Sequence, residues 1–249
     1  VSDLAGPVGG DQVDLPELTP ARVLVGRAGT AYRTGTALRL RADHAAARDA
    51  LHEPLAIDGP ALAPLVESCG LFEVRSQAAD LAEHLARPDL GRRLGPGAAE
   101  LLRSEVEPGA DLQVVVGDGL SARAVHAQVP ALLPRLLEGA AQRGWSVGRP
   151  FAVRHCRVGV LNDVGEALDP GVVVLLVGER PGLATADSLS AYMGFRPRPG
   201  ATDADRNLVS NIHAGGVSSA DAARRILALA EEMRLQGRSG YQVREPATG

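Results

Sequence analysis

Six consecutive apolar residues, Val172-Val173-Val174-Leu175-Leu176-Val177, run without polar alternation and stop at Gly178-Glu179-Arg180-Pro181-Gly182. A strand of this kind is buried on both faces, as in a parallel sheet covered by helices. Residues 112–116 and 150–154 predict two further strands, the second extending toward Val158, and residues 208–212 predict a shorter fourth. A helical stripe of Leu38, Leu40, Ala45, Ala46 and Ala50 predicts a helix over 36–51, with shorter helices near 60–68, 77–86 and 97–105. After Ser121 the period is helical again, interrupted by Pro130 and Pro134 before about Arg143. Helices are also expected at 187–193 and 219–235, the latter opened by the cap signal Ser218-Ser219-Ala220-Asp221.

These elements divide the chain. Residues 1–18, rich in Gly, Pro and Asp, read as a flexible arm. Residues 19–95 read as a small helical N-terminal domain. From 96 to 249 strands alternate with helices, the pattern of an α/β fold with a Rossmann-like parallel sheet. Ligands of such sheets bind outside the carboxyl ends of the strands, which makes the turn after Val177 a site candidate on position alone.

Composition narrows the function. Of 249 residues, 45% are apolar and 22% charged, as in an ordinary globular protein. No apolar run approaches the ~18 residues that suggest a membrane span. The 26 basic and 30 acidic residues leave a net charge of −4, which argues against a nucleic-acid binder driven by phosphate neutralisation. Aromatics are only 3%, too few for base-stacking platforms. Every basic residue other than histidine is arginine, so Schiff-base lysine chemistry and a Walker-type lysine are absent. Cys69 and Cys156 form neither a disulfide framework nor a zinc spacing, which fits a reducing compartment. No secretion signal is expected at the N-terminus.

Two strands end alike, in Val-Val-Val-Gly-Asp-Gly at 114–119 and Leu-Leu-Val-Gly-Glu-Arg-Pro-Gly at 175–182. Each places a carboxylate, Asp118 or Glu179, at the sheet's carboxyl edge. Such a group can accept hydrogen bonds from ligand amides, hydroxyls or an ammonium. It can equally cap a following helix or pair with an arginine. The two readings balance for Asp118; for Glu179 the ligand reading is favoured, because its turn is rich in special backbone residues. Gly-x-Gly-x-x-Gly does not follow any strand, so a nucleotide-dependent oxidoreductase built on the Asp118 loop is a weakly supported alternative. Asn211-Ile212-His213 faintly echoes the Asp-x-His-x-x-Gly motif of corrinoid enzymes with histidine on cobalt, but asparagine replaces the aspartate, and a locally bonded turn histidine is the favoured reading. The six histidines show no metal spacing, and no metal ligand is expected. Arg154, Arg157, Arg180, Arg196, Arg198 and Arg206 suit either carboxylate and phosphate ligands or subunit ion pairs. No Gly-x-Ser-x-Gly elbow is present, so a serine hydrolase is not expected.

Seven segments in order carry a family resemblance: Arg22-Val23-Leu24-Val25-Gly26-Arg27-Ala28-Gly29, Leu40-Arg41-Ala42-Asp43-His44-Ala45, Leu71-Phe72-Glu73-Val74-Arg75-Ser76, Arg87-Pro88-Asp89-Leu90-Gly91-Arg92-Arg93-Leu94, Gly117-Asp118-Gly119-Leu120-Ser121, Gly178-Glu179-Arg180-Pro181-Gly182-Leu183 and Ser210-Asn211-Ile212-His213. From about residue 19 to its end the chain resembles the small (light) subunit of ethanolamine ammonia-lyase. The resemblance implies an adenosylcobalamin-dependent lyase that converts ethanolamine to acetaldehyde and ammonia in a hetero-oligomer with a large (heavy) subunit. It implies that the small subunit holds part of the cobalamin site and no catalytic residue. The family's cobalamin contacts map to Val158 at the end of the second strand, to Glu179, and to Leu208, where family members can carry cysteine. In this family the cofactor keeps its own benzimidazole on cobalt, so His213 is not expected to be a cobalt ligand. A cytoplasmic location within a bacterial microcompartment is implied by the family alone. A purely structural subunit, with the cofactor held wholly by its partner, is the other alternative.

Overall fold

The computed structural model describes residues 27–246, so the arm expected at 1–18 lies outside the described residues. A two-stranded antiparallel hairpin, β1 (Arg27–Ala28) and β2 (Ala31–Tyr32), leads into α1 (Thr34–His52), of which only Ala50 is buried. Next come α2 (Ala63–Cys69), β3 (Phe72–Arg75), α3 (Leu81–Ala86) and α4 (Ala98–Glu105). The α/β part follows as β4 (Leu112–Gly117), α5 (Ala122–Gln142), β5 (Phe151–Arg154), α6 (Val160–Leu168), β6 (Val172–Gly178), β7 (Leu189–Phe195), β8 (Asn207–Ile212) and α7 (Ser219–Gln236).

The six longer strands form one sheet in the order β3-β5-β4-β6-β7-β8. The first four are parallel, and β7 runs antiparallel to both of its neighbours. The carboxyl ends of β4, β5, β6 and β8 therefore share one edge of the sheet. Along β6, Val172, Val174 and Leu176 point into one core, while Val173, Leu175 and Val177 point into the other. The first core lies under α5 and α7, and the second under α4 and α6. This two-sided cover explains why every residue of β6 is apolar or glycine.

Cover on the second face thins beyond β6: in β7 Ser190 and Gly194 are still buried and Tyr192 packs partly against the second core. In β8, Val209 and Ile212 are buried in the first core, but Leu208 and Ser210 on the opposite face are exposed. The sheet face is therefore bare only at its β8 margin, around Leu208 and Ser210.

Several expectations need correction. Phe72–Arg75, within the stretch read as helical, is an edge strand paired in parallel with β5. The helix expected at 187–193 is instead β7, where Leu189, Ala191 and Met193 enter the first core with period two. Pro130 and Pro134 do not interrupt α5. Each removes a backbone donor, at roughly 3 kcal/mol, but nine residues of this helix are buried against the sheet and α7. The β5 strand does not extend toward Val158. His155, at φ +58°, turns the chain out of the strand, and α6 follows. Ser218 caps α7 as its sequence predicts, accepting a hydrogen bond from the Asp221 amide at 3.1 Å.

Candidate functional site

The two Gly-acid turns end in different surroundings. Asp118 is 8% exposed, and its carboxylate accepts hydrogen bonds from the amides of His155 (2.7 Å) and Cys156 (3.0 Å). It ties the end of β4 to the turn after β5. The Gly119 carbonyl beside it pairs with the buried His84 ring Nε2 at 2.7 Å. Burial pushes the Asp118 carboxyl above its ordinary value, against the two amides that favour its charge. Burial also lowers the pKa of His155, outweighing the pull of Asp118, and lowers that of His84. Asp118 is thus a staple inside the fold, and the loop an oxidoreductase would need is committed to internal bonds.

Glu179 sits one strand over, half-buried at the end of β6. Its Oε1 accepts from the Ser190 hydroxyl at 2.6 Å and from the Asn211 amide at 3.1 Å. Burial opposes its charge, but these two bonds, together with the nearby Ser188 hydroxyl and His213, outweigh it and hold the carboxyl below its ordinary value. Both bonds converge on Oε1 and leave Oε2 to neither. Gly178 is required by the packing: a Cβ there would lie 2.1 Å from the Ser121 carbonyl and 2.7 Å from that of Asp118.

Glu179 opens into a cleft of about 400 Å³ on the bare sheet face. Val177, Tyr192, Leu208 and Ser210 form its floor; Arg157 and Val158 line one side, Glu179 and Arg180 the other. The three residues expected to contact cofactor, Val158, Glu179 and Leu208, therefore come together from three separate segments. Val158 lies in the turn before α6 and packs partly against the second core. Leu208 is 43% exposed, an apolar side chain without full cover among the described residues. Arg180 is exposed and has no carboxylate partner among the described residues.

Sequence reasoning missed Ser190, Tyr192 and Asn211. The first two lie on the strand read as a helix, where the alternation Leu189-Ser190-Ala191-Tyr192-Met193 was the available signal. Asn211 contributes through its backbone, at φ +62°, and no residue pattern announces that. His213 bonds within its own turn: Nδ1 accepts from the Gly215 amide at 3.1 Å, so Nε2 donates to Asn211 Oδ1 at 2.7 Å. Of the arginines, Arg154 makes a two-pronged pair with Glu73 (2.8 and 2.6 Å), and Arg157 donates to the His84 carbonyl at 3.0 Å. Arg198 pairs with Asp169, and Arg206 with Asp203. Arg196 lies beside the Phe195 ring.

Residues 11–244 match the family model described as ethanolamine ammonia-lyase light chain (EutC). The chain belongs to the ethanolamine ammonia-lyase light-chain family. It is 43% identical over 234 residues to the ethanolamine ammonia-lyase small subunit of Rhodopseudomonas palustris, spanning 93% of this chain and 89% of that protein. It is 39% identical over 232 residues to the small subunit from Clostridium perfringens, spanning 93% of this chain and 77% of that protein. The cleft presents an oriented carboxylate at Glu179, a guanidinium at Arg180, a hydroxyl at Ser210 and the exposed apolar side chain of Leu208. Among the described residues no helix is long and apolar enough to cross a membrane.

Proposed function

We propose that the chain is the small subunit of an adenosylcobalamin-dependent ethanolamine ammonia-lyase. In complex with a large subunit it converts ethanolamine to acetaldehyde and ammonia, and it contributes one wall of the cobalamin site. The observation that carries this reading is the convergence of Val158, Glu179 and Leu208 on one cleft at the bare sheet face.

The donor set fits a corrinoid. Its rim carries amide side chains, which need acceptors for their N–H groups and donors for their carbonyls. Glu179, charged and held by Ser190 and Asn211, is the acceptor; Arg180 and the Ser210 hydroxyl are donors. Leu208 and Tyr192 give the apolar macrocycle edge a surface that excludes water. Leucine in place of the cysteine seen in some family members leaves an apolar or backbone contact at this position and no thiol. Adenosylcobalamin, when bound, supplies the radical chemistry of the deamination. This chain's residues orient the group and shield it, and the half-open cleft is closed by the partner.

The test has two parts. The chain alone should show no ethanolamine deamination, and addition of the large subunit should restore it; turnover by the isolated chain would sink the proposal. In the complex, Glu179→Gln should raise the adenosylcobalamin concentration for half-saturation roughly tenfold or more, the loss of a charged hydrogen bond worth about 1.5–3 kcal/mol. An unchanged value would remove Glu179 from the site.

A further inference from the structure

A second cleft, of about 370 Å³, is lined by sequence neighbours of the residues that line the first. Its walls are extensions of the same segments. Gly159 follows Val158 directly, and Arg206 stands two residues before Leu208. Three guanidinium groups line it, those of Arg92, Arg93 and Arg206, against two carboxylates, Asp163 and Asp203.

The charges do not cancel. Asp163 is taken by Arg93 at 3.0 Å and by the Leu94 amide at 2.8 Å. Asp203 pairs with Arg206, whose side chain is only 6% exposed and whose Nη2 also donates to Asn162 Oδ1 at 3.0 Å. The buried Nε of Arg206 has no partner. Arg92 has no carboxylate partner among the described residues. Its position is enforced from below, because its aliphatic stem lies where a Cβ on Gly159 would be, within 2.8 Å. The like charges also feel one another: Arg92 opposes the charge of both Arg206 and Arg157, and Arg180 opposes that of Arg157. In a chain with net charge −4, this cleft keeps one guanidinium, that of Arg92, without a carboxylate to offset it among the described residues.

The geometry points to an anion site centred on Arg92 and Arg206, with one net positive charge, matched to a phosphodiester monoanion. The inference rests on the cofactor reading above for its source: a cobalamin carries one phosphodiester, between the corrin ring and its nucleotide base. The second cleft adjoins the first in the chain at Val158–Gly159 and at Arg206–Leu208, the two segments that would carry the corrin contacts. Arginine is suited to the task, as its planar fork matches the paired oxygens of a phosphate.

Two measurements separate the site from the reading. In the first, dimethyl phosphate, a phosphodiester monoanion, is titrated into the full chain alone and followed by phosphorus NMR. Line broadening with the wild type that disappears in Arg92→Ala and largely persists in Arg92→Lys supports the site; equal signals in wild type and Arg92→Ala overturn it. In the second, the complex with the large subunit is titrated spectroscopically with adenosylcobalamin and with adenosylcobinamide, which lacks the phosphodiester and the base. Arg92→Ala should weaken adenosylcobalamin binding about tenfold, the loss of one charged contact, and change adenosylcobinamide binding by less than about twofold. Equal weakening of both, or of neither, overturns the assignment to the cofactor's phosphodiester. If the wild-type complex takes up neither corrinoid, the cofactor reading fails, and the anion site stands or falls on the first measurement.

Discussion

The end of β4 and the end of β6 start from nearly the same words, a buried apolar strand, a glycine and an acid, and reach opposite outcomes. After β4 the chain enters α5, and the neighbouring strand on the far side, β5, sends its own turn across the carboxylate. Asp118 is closed over by the His155 and Cys156 amides and by Gly119, itself held by His84. After β6 the chain turns back into the antiparallel β7, and at the margin beyond it Leu208 and Ser210 of β8 are exposed on the same face. Glu179 is therefore supported from behind, by Ser190 and Asn211, and open in front. The difference is topological. A parallel crossover brings cover to a strand end, whereas an antiparallel hairpin at the sheet's margin leaves the strand end beside bare sheet. The element after the acid, and not the acid itself, decides whether the carboxylate staples the fold or stays open to the cleft.

The largest effect should come from breaking the staple. Asp118→Ala leaves two buried amides without an acceptor, and loss of about 3 kcal/mol in stability is expected. Denaturant unfolding of the chain measures it. A change below about 1 kcal/mol would mean that water reaches these amides readily, and that the two turns differ less than the geometry says.

Particular residues explain how much of this contrast is legible in the sequence. The buried strand β6 is legible because no other element tolerates six apolar residues between glycines, and α7 because Ser218 and its apolar period agree. The strand β7 is not, since Ser190, Tyr192 and Gly194 dilute its alternation to the point where a helix reads equally well. With β7 misread, the hairpin is invisible, and with it the reason Glu179 stays open. The α6 helix is hidden because Val160–Leu168 sits behind a strand that looks longer than it is, cut by a left-handed histidine that nothing in the local pattern demands. The pairing of Asp118 with the turn after β5 is out of reach for another cause: its partners are backbone amides 37 and 38 residues away. The cleft residues Val158, Glu179 and Leu208 come from family resemblance; their convergence depends on sheet order, which periodicity does not encode.

A pH titration sharpens the comparison at intermediate size. Burial raises the Asp118 carboxyl above its ordinary 3.8, so the folded chain holds this proton more tightly than the unfolded one. Its contribution to stability is complete at pH below 3.8 and is lost as pH rises through the folded pKa. Glu179 has the reverse sign. Although burial opposes its charge, the Ser190 and Asn211 bonds place its carboxyl below its ordinary 4.5. Its contribution is present above 4.5 and is lost as pH falls through the folded pKa. Carbon NMR of the side-chain carboxyls should find Asp118 titrating above 3.8 and Glu179 below 4.5. Shifts of the same sign for both groups would erase the distinction.

The smallest expected effect tests what holds Glu179 from behind. Ser190 is 3% exposed, and its hydroxyl donates to Oε1 at 2.6 Å. Ser190→Ala removes that donor but leaves the Asn211 amide in place, so the chain should lose only about 1 kcal/mol of stability or less. The carboxyl should move up toward its ordinary value, because burial then meets one opposing bond fewer. In the complex with the large subunit, adenosylcobalamin binding should weaken by less than Glu179→Gln weakens it, since the acceptor survives with looser orientation. A merely structural serine would alter stability without moving the Glu179 titration. If Ser190→Ala leaves that titration where it was, the carboxylate is held by the Asn211 amide with Ser188 and His213, and the Ser190 hydroxyl is not what orients it.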